Sequence, residues 1–254
     1  AKGTTLGADD GIGDAIELAI LDSDDIEHGP IECVFTRDEE TQLTGAFGMK
    51  PGFMTGKYLI NLDSEEEGQI FVSCAGGKST IAEFDFTREE APKDYFFLEG
   101  SIKGLNGGHS GDDIEKKRAN AIKLLARFLY NEQEKMDLRL AQFNSGKMHN
   151  AIPRDGKIVF AVPADKKEEV KADWNIYTAG VEDEFHVTDT TMVWNLSSTE
   201  QQKVLPKNVS ENMIRALQAV DNGVFAMCQD KALEWMVETS SNIASVQSSE
   251  DKVE

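Results

Sequence analysis

Thiols are few in this chain, and positive charge is well short of negative. Cys33, Cys74 and Cys228 are its three cysteines in 254 residues. They are odd in number, far apart and form no CxxC, so neither a disulfide framework nor a thiolate zinc site is expected. A reducing, cytoplasmic setting fits that usage. Basic residues are scarce as well: 26 Lys and Arg stand against 46 Asp and Glu, for a net charge of -20. Such a surface cannot neutralise a phosphate backbone, which sets nucleic acid aside as a partner. No apolar run approaches the roughly 20 residues that span a bilayer, and the start lacks the charged-then-apolar layout of a signal peptide, so no membrane partner is expected. There is no phosphate-cradling GxxxxGK[ST] either.

What the chain does have is material for a core. A hydrophobic content of 40% over this length supports one large or two ordinary domains. Ile12, Ala15, Ile16, Ala19 and Ile20 recur at helical spacing, which predicts a helix directly after the turn Asp9-Asp10-Gly11 and places Asp9 at a strand-to-helix corner. Apolar runs at 31–36 and 58–62 read as buried strands of an α/β sheet, with room for a short helix in 45–56. Each run ends in acid, the first at Asp38-Glu39-Glu40 and the second at Asp63. Ligands of open α/β sheets collect beyond the carboxyl ends of strands, so these groups could converge on one crevice.

Past Gly76-Gly77 the pattern changes. Strands are expected over 80–86 and 95–103, then the loop Gly104-Leu105-Asn106-Gly107-Gly108-His109-Ser110-Gly111, then a long helix over about 112–130. Strands at 137–143 and 158–162, a charged helical turn over 166–172, a strand at 185–193, a helix at 209–220 and a strand at 235–246 complete the reading. That order suits an antiparallel sheet covered on one side. The expected division is a partial catalytic domain over 1–78 and a second domain over 79–254.

Acidic pairs are common in so acidic a chain, and Asp9-Asp10 or Glu39-Glu40 alone would be read as solvated. Competing motifs fail on inspection. Asp63-Ser64-Glu65-Glu66-Glu67-Gly68 begins like a calcium loop, but Cys74 stands at the twelfth position, where a bidentate Glu is needed. Gly108-His109-Ser110-Gly111-Asp112 ends in Asp where the GxSxG elbow needs Gly. A lone His in a glycine loop, such as His109, is by itself more often structural than catalytic. His28, His149 and His186 share no metal-ligand spacing and read as surface groups.

Five ordered segments carry more. Thr4-Thr5-Leu6-Gly7-Ala8-Asp9, Thr36-Arg37-Asp38-Glu39-Glu40-Thr41, Asn61-Leu62-Asp63-Ser64-Glu65, Gly107-Gly108-His109-Ser110-Gly111 and Asn150-Ala151-Ile152-Pro153-Arg154 resemble the bacterial aminoacyl-histidine dipeptidases. These are cytosolic relatives of the carnosinases within the dinuclear zinc exopeptidases. The resemblance implies a zinc-exopeptidase catalytic domain, a mixed sheet with flanking helices, followed by an α+β lid domain built on an antiparallel sheet. It also implies two zinc ions as cofactors, with other divalent metals allowed, and hydrolysis of unblocked dipeptides, Xaa-His above all, by an activated water. Asp9 resembles the carboxylate that bridges the two zincs, Glu40 and Asp63 resemble ligands of one zinc each, and Glu39 resembles the general base. His109 resembles the lid histidine that stabilises the oxyanion, and Asn150 the residue that holds the substrate's terminal carboxylate. Arg154 reads equally well as an anion partner or as a charge in the Pro153 turn. The partner expected is a small peptide, with a homodimer left open.

Two departures accompany the resemblance. The HxD motif that precedes the bridging Asp in whole enzymes, and a second zinc histidine near their C-terminus, are not in this sequence. The expectation is therefore a piece of a longer zinc dipeptidase, inactive by itself. Asp10 also stands where relatives often carry Asn. Two other readings stay open: another peptidase or acyl-amino-acid hydrolase of the same superfamily, and a non-catalytic lid or dimerisation module.

Overall fold

The computed structural model describes residues 9–64 and 68–254. The chain divides into two compact units, 1–76 and 77–254. In the first, helix α1 spans Gly11–Asp22 and the short helix α2 spans Thr44–Phe47. Helix α1 starts where the sequence places it because Asp10 is its N-cap, accepting from the Gly13 amide at 2.9 Å. The strands expected at 31–36 and 58–62 do not form: the described residues of this unit contain no strand. A strand is held by its ladder, and neither run pairs with a strand among the described residues. Their apolar side chains stay in water, as Tyr58, Leu59 and Ile60 do, and so does the α1 face at Ile12 and Ile16. The mixed sheet expected for this part of the chain is therefore not seen among the described residues.

The second unit contains strands β1 (Phe84–Asp85), β2 (Tyr95–Lys103) and β3 (Gly108–His109), then helix α3 (Ala121–Met136). Strands β4 (Arg139–Ser145), β5 (Ala151–Ile152) and β6 (Gly156–Pro163) follow, then helix α4 (Lys167–Glu184), strand β7 (Val193–Ser198) and helix α5 (Lys207–Ala219). Strands β8 (Gly223–Met227), β9 (Val237–Ser241), β10 (Val246–Gln247) and β11 (Lys252–Val253) close the chain. The main sheet has five strands in the order β10-β4-β6-β2-β7. Every neighbouring pair is antiparallel.

Period-two alternation sends Leu98, Gly100 and Ile102 of β2, and their β6 partners Phe160, Ile158 and Gly156, to one face. Helix α3 covers that face. Phe128 is its central contact, edge-on to Trp174 of α4 with ring centroids 4.8 Å apart and 5.9 Å from Phe160. Gly100 makes the Trp174 position possible, since a Cβ there would lie 2.8 Å from the indole. On the opposite face Phe97, Ala141, Val159, Ala161 and Val204 form a smaller buried cluster.

Several expected boundaries move for local reasons. The helix expected from 112 begins at Ala121: Lys117 adopts φ +54, which no helix continues, and Asn120 caps α3 by accepting from Ile122 and Lys123. Helix α4 runs well beyond the charged turn read at 166–172, because Val170, Trp174, Thr178 and Val181 make one buried stripe along it. The strand expected at 185–193 is instead a turn region, and β7 starts at Val193. At 80–86 only Phe84–Asp85 pairs, and 235–246 is split between β9 and β10.

Two polar residues lock the ends of α3. At its C-terminus Asp137, in the left-handed region at φ 48, accepts from the Tyr95 hydroxyl at 2.6 Å, from Arg139 at 2.7 Å and from Lys207. Lys207, Tyr95 and Arg139 together hold the Asp137 carboxyl well below the usual carboxylate range, against a smaller opposing effect of burial. The Tyr95 phenol is pushed up to about 12, by burial first and by Asp137 next. At the N-terminus the Asn120 amide also donates to Asn222, Asn242 and the Ile243 carbonyl, the last at 2.9 Å.

Two outcomes follow for stability. Asp137 ionises more readily folded than unfolded, so its stabilisation is complete above about pH 4, the unfolded value, and declines as pH falls toward the folded one. The gap in urea midpoint between the parent chain and Asp137→Asn is expected to be open at about pH 7 and to narrow between about pH 4 and pH 2; a gap independent of pH would contradict this. Asn120→Ala is expected to cost about 1–2 kcal/mol in urea unfolding, and Asn120→Asp, which keeps the cap, less. Equal losses in the two variants would show that the cap contributes nothing.

Candidate active site

The acids of the first unit are set by short-range structure. Asp10 is occupied in capping α1, which leaves Asp9 just ahead of the helix N-terminus. Glu39 and Glu40 sit at the tip of a closed loop. Its base is Asp38 at φ 55, whose carbonyl accepts from Leu43 at 2.8 Å, while the Gly45 amide donates to the Arg37 carbonyl at 3.1 Å. The Asp38 carboxylate takes the Thr44 hydroxyl, so it is engaged in holding the turn. Asp63 follows Asn61, whose side-chain oxygen accepts its amide at 3.2 Å. Asp9, Glu39, Glu40 and Asp63 are all exposed.

The Asp63 carboxyl is pushed up to about 6. Local desolvation is the largest cause, followed by a hydrogen bond shared with Asp9 and by the negative charge of Asp9, Asp10 and Glu39. Asp63 is exposed as a residue, so the crowding of acids around it is the more telling cause. The structure thus brings Asp9 and Asp63 into contact, with Asp10 and Glu39 near enough to be felt. No three His, Cys, Asp or Glu side chains among the described residues approach closely enough to enclose a metal ion. In donor chemistry the acids fit a hard or borderline divalent cation: they are all-oxygen, and a cation would relieve the repulsion among their charges. They do not close a coordination shell by themselves. A cavity of about 570 Å³ in this unit lies between Val34–Arg37 and α2, and none of these acids lines it. The Thr4–Ala8 part of the opening motif and Glu65 lie outside the described residues.

In the second unit His109 and Asn150 lie side by side. Strands β3 and β5 pair His109 with Ala151 and Gly108 with Ile152, and the Ser110 amide donates to the Asn150 carbonyl at 2.8 Å. Both side chains are open to water. His109 Nδ1 accepts from the Gly111 amide at 3.1 Å, which leaves the proton of the neutral ring on Nε2. The Asp112 carboxylate, 3.3 Å from the same Nδ1, is the partner of the protonated ring.

This pair is mounted on the N-terminal end of α3. The Ala121 amide donates to the Pro153 carbonyl at 3.2 Å, and Asn242, tied to Asn120, donates to the Ala151 carbonyl at 2.8 Å. Buried Asp189 accepts from Asn106 at 2.8 Å and from Ala119 at 2.9 Å. Arg154 donates to the Leu105 carbonyl at 3.1 Å, so it serves the loop backbone as well as standing in the Pro153 turn. Sequence reasoning passed over this frame, Asp189, Asn120 and Asn242 included. The signal that could have found part of it is the double glycine Gly107-Gly108, both at positive φ: such backbone invites close approach by neighbouring side chains. His28, His149 and His186 are exposed, as expected.

Residues 101–188 match the family described as a peptidase dimerisation domain. The whole chain is 40% identical to the cytosol non-specific dipeptidase of Escherichia coli strain K12, of which it covers 52%. The crystal structure of the aminoacylhistidine dipeptidase from Vibrio alginolyticus matches 100% of the chain, at 40% identity and a TM-score of 0.75, and the match covers 51% of that protein. The chain thus spans about half the length of these relatives. With like identity to both along all of its residues, and a peptidase dimerisation domain matched over residues 101–188, the chain is similar to about half of these dipeptidases.

Proposed function

We propose that the protein to which this chain contributes is a metal-dependent dipeptidase of unblocked dipeptides, with residues 1–78 as part of its catalytic domain and 79–254 as its lid. The observation that carries this reading is the 40% identity along the whole chain to longer relatives named as dipeptidases, beside acids of the first unit, Asp9, Asp10 and Glu39, whose charges act on Asp63. The group implied is a pair of zinc ions, held by Asp9, Glu40 and Asp63 together with ligands outside this chain. Bound there, zinc would polarise the scissile carbonyl and make water a stronger acid.

The chain's own residues supply the rest. Glu39 stands next to a ligand in sequence without being one, so it is free to take a proton from the attacking water and to deliver it to the departing amine. His109, with its ring proton on Nε2, offers a donor to the oxyanion of the tetrahedral intermediate. Asn150 offers an amide donor to the terminal carboxylate of the peptide, which fixes the length of substrate accepted. The E. coli relative is named as non-specific and the Vibrio protein for aminoacylhistidine substrates; Xaa-His dipeptides are the narrower proposal inside the broader one. The lid pairs with a second copy in a homodimer, which the dimerisation-domain match supports. A cytosolic setting is proposed from the name of the E. coli relative. No helix among the described residues is long and apolar enough to cross a membrane.

In a chain of the relatives' full length, Xaa-His dipeptides are expected to be hydrolysed, with loss of activity on chelation and recovery on adding zinc. Glu39→Gln is expected to lower kcat by about 10²–10⁴ with metal content unchanged. The 254-residue chain by itself is expected to be inactive. Full activity in Glu39→Gln would remove the proposed base, and a metal-free protein without hydrolytic activity would favour a non-catalytic module.

A further inference from the structure

The His109 loop is held by one carboxylate that the proposed reaction does not use. Asp113 Oδ2 accepts the His109 backbone amide at 2.9 Å, and the Asp113 amide donates back to the His109 carbonyl at 2.8 Å. Two cations fix that carboxylate in turn. Lys116 bonds Asp113 Oδ1, and Arg118 lies 3.3 Å from Oδ2. Arg118 also donates to the Gly107 carbonyl, so one guanidinium joins the clamp to the loop two residues before the histidine. The Asp113 side chain is largely shielded, at 18% exposure, a setting in which charge-assisted bonds keep more of their strength. Lys116 first, then the His109 amide and Arg118, hold its carboxyl below the ordinary value against the effect of desolvation.

The glycines complete the fit. Gly108 has φ +136, and a Cβ there would overlap both the Asp113 carboxylate and the Arg118 guanidinium; one on Gly107 would overlap Arg154. The double glycine therefore lets side chains press directly on the backbone from which His109 projects. Asp112, by contrast, is 84% exposed in its side chain and touches the imidazole itself. Neighbouring acids thus divide the work, one facing the ring and the other holding the main chain.

The geometry points to Asp113, braced by Lys116 and Arg118, as the positioning residue that fixes His109 for oxyanion stabilisation. This rests on the role proposed for His109. An imidazole must stand within hydrogen-bond reach of the developing charge, and a displacement of about 1 Å can cost about 10² in rate. Asp113 never touches substrate in this scheme. Its effect passes through the His109 backbone.

The test is a double-mutant cycle on dipeptide hydrolysis in a chain of the relatives' full length, joined to amide exchange at His109 in the same proteins. Asp113→Ala is expected to lower kcat by about 10–10² while KM changes by less than about threefold, and to lose nothing further when His109 is already Ala. Should Asp113→Ala fail to fold, Asp113→Asn keeps an oxygen for the His109 amide but gives up the charge, and a smaller loss with the same non-additivity is expected. The His109 amide is expected to exchange about tenfold faster in the variants, with the amides of α3 unchanged. An undiminished kcat, an equal loss in the His109→Ala background or unchanged protection at His109 would each overturn the assignment. If the unaltered protein hydrolyses no dipeptide, the functional reading fails and the exchange measurement alone decides the clamp: faster exchange confined to the loop sustains it, and unchanged exchange sinks it.

Discussion

The burial of α3 against the five-stranded sheet is the constraint on which the second unit depends. An antiparallel sheet with one apolar face is stable only when that face is covered, and Leu98, Ile102, Ile158, Phe160 and Phe143 must be kept from water together. Helix α3 meets that demand through Ile122, Leu125, Phe128 and Leu129, which are all but inaccessible to solvent. Once the helix is seated, its ends occupy fixed places. The C-terminal end meets Asp137 and its three donors. The N-terminal end becomes the platform for His109 and Asn150, the residues proposed to act on the substrate.

That platform explains how exposed side chains can be well placed. His109 and Asn150 protrude into water, yet the backbone under them is bound to α3 through Pro153, Ala151, Asn242 and Asn120. Asp189 ties in the segment before the histidine by bonding Asn106 and Ala119. Packing energy gained in the apolar core is thereby turned into positional order at a polar surface. The acids of the first unit have a different basis. There the order is local, a helix cap at Asp10 and a closed turn at Asp38, and the apolar side chains around them remain largely exposed.

The contrast also accounts for what could be read from sequence. Helix α5 and strands β2, β4 and β6 were legible within a residue or two because their periodicity is the periodicity of their burial. Helix α1 was legible from the turn Asp9-Asp10-Gly11 and the apolar spacing after it. The start of α3 was not, since the cap that sets it, Asn120, lies inside a stretch that reads as continuous helix, and the left-handed Lys117 has no sequence mark. Residues 31–36 and 58–62 carry apolar strand patterns, but such patterns become strands only when a neighbouring strand supplies hydrogen bonds. The residues proposed for the site were singled out through motifs. Most of the frame behind them was not, because Asp189, Asn222 and Asn242 act through backbone atoms of distant segments, and those contacts exist only after folding.

The account depends most on the acids of the first unit acting together on metal. Anomalous diffraction from zinc-loaded crystals of a chain of the relatives' full length tests this most directly. The result expected is two zinc peaks with Asp9 between them, Glu40 on one and Asp63 on the other, and Glu39 bound to neither. Crystals with no zinc at these carboxylates, or with Glu39 as a ligand in place of Glu40, would contradict the assignment.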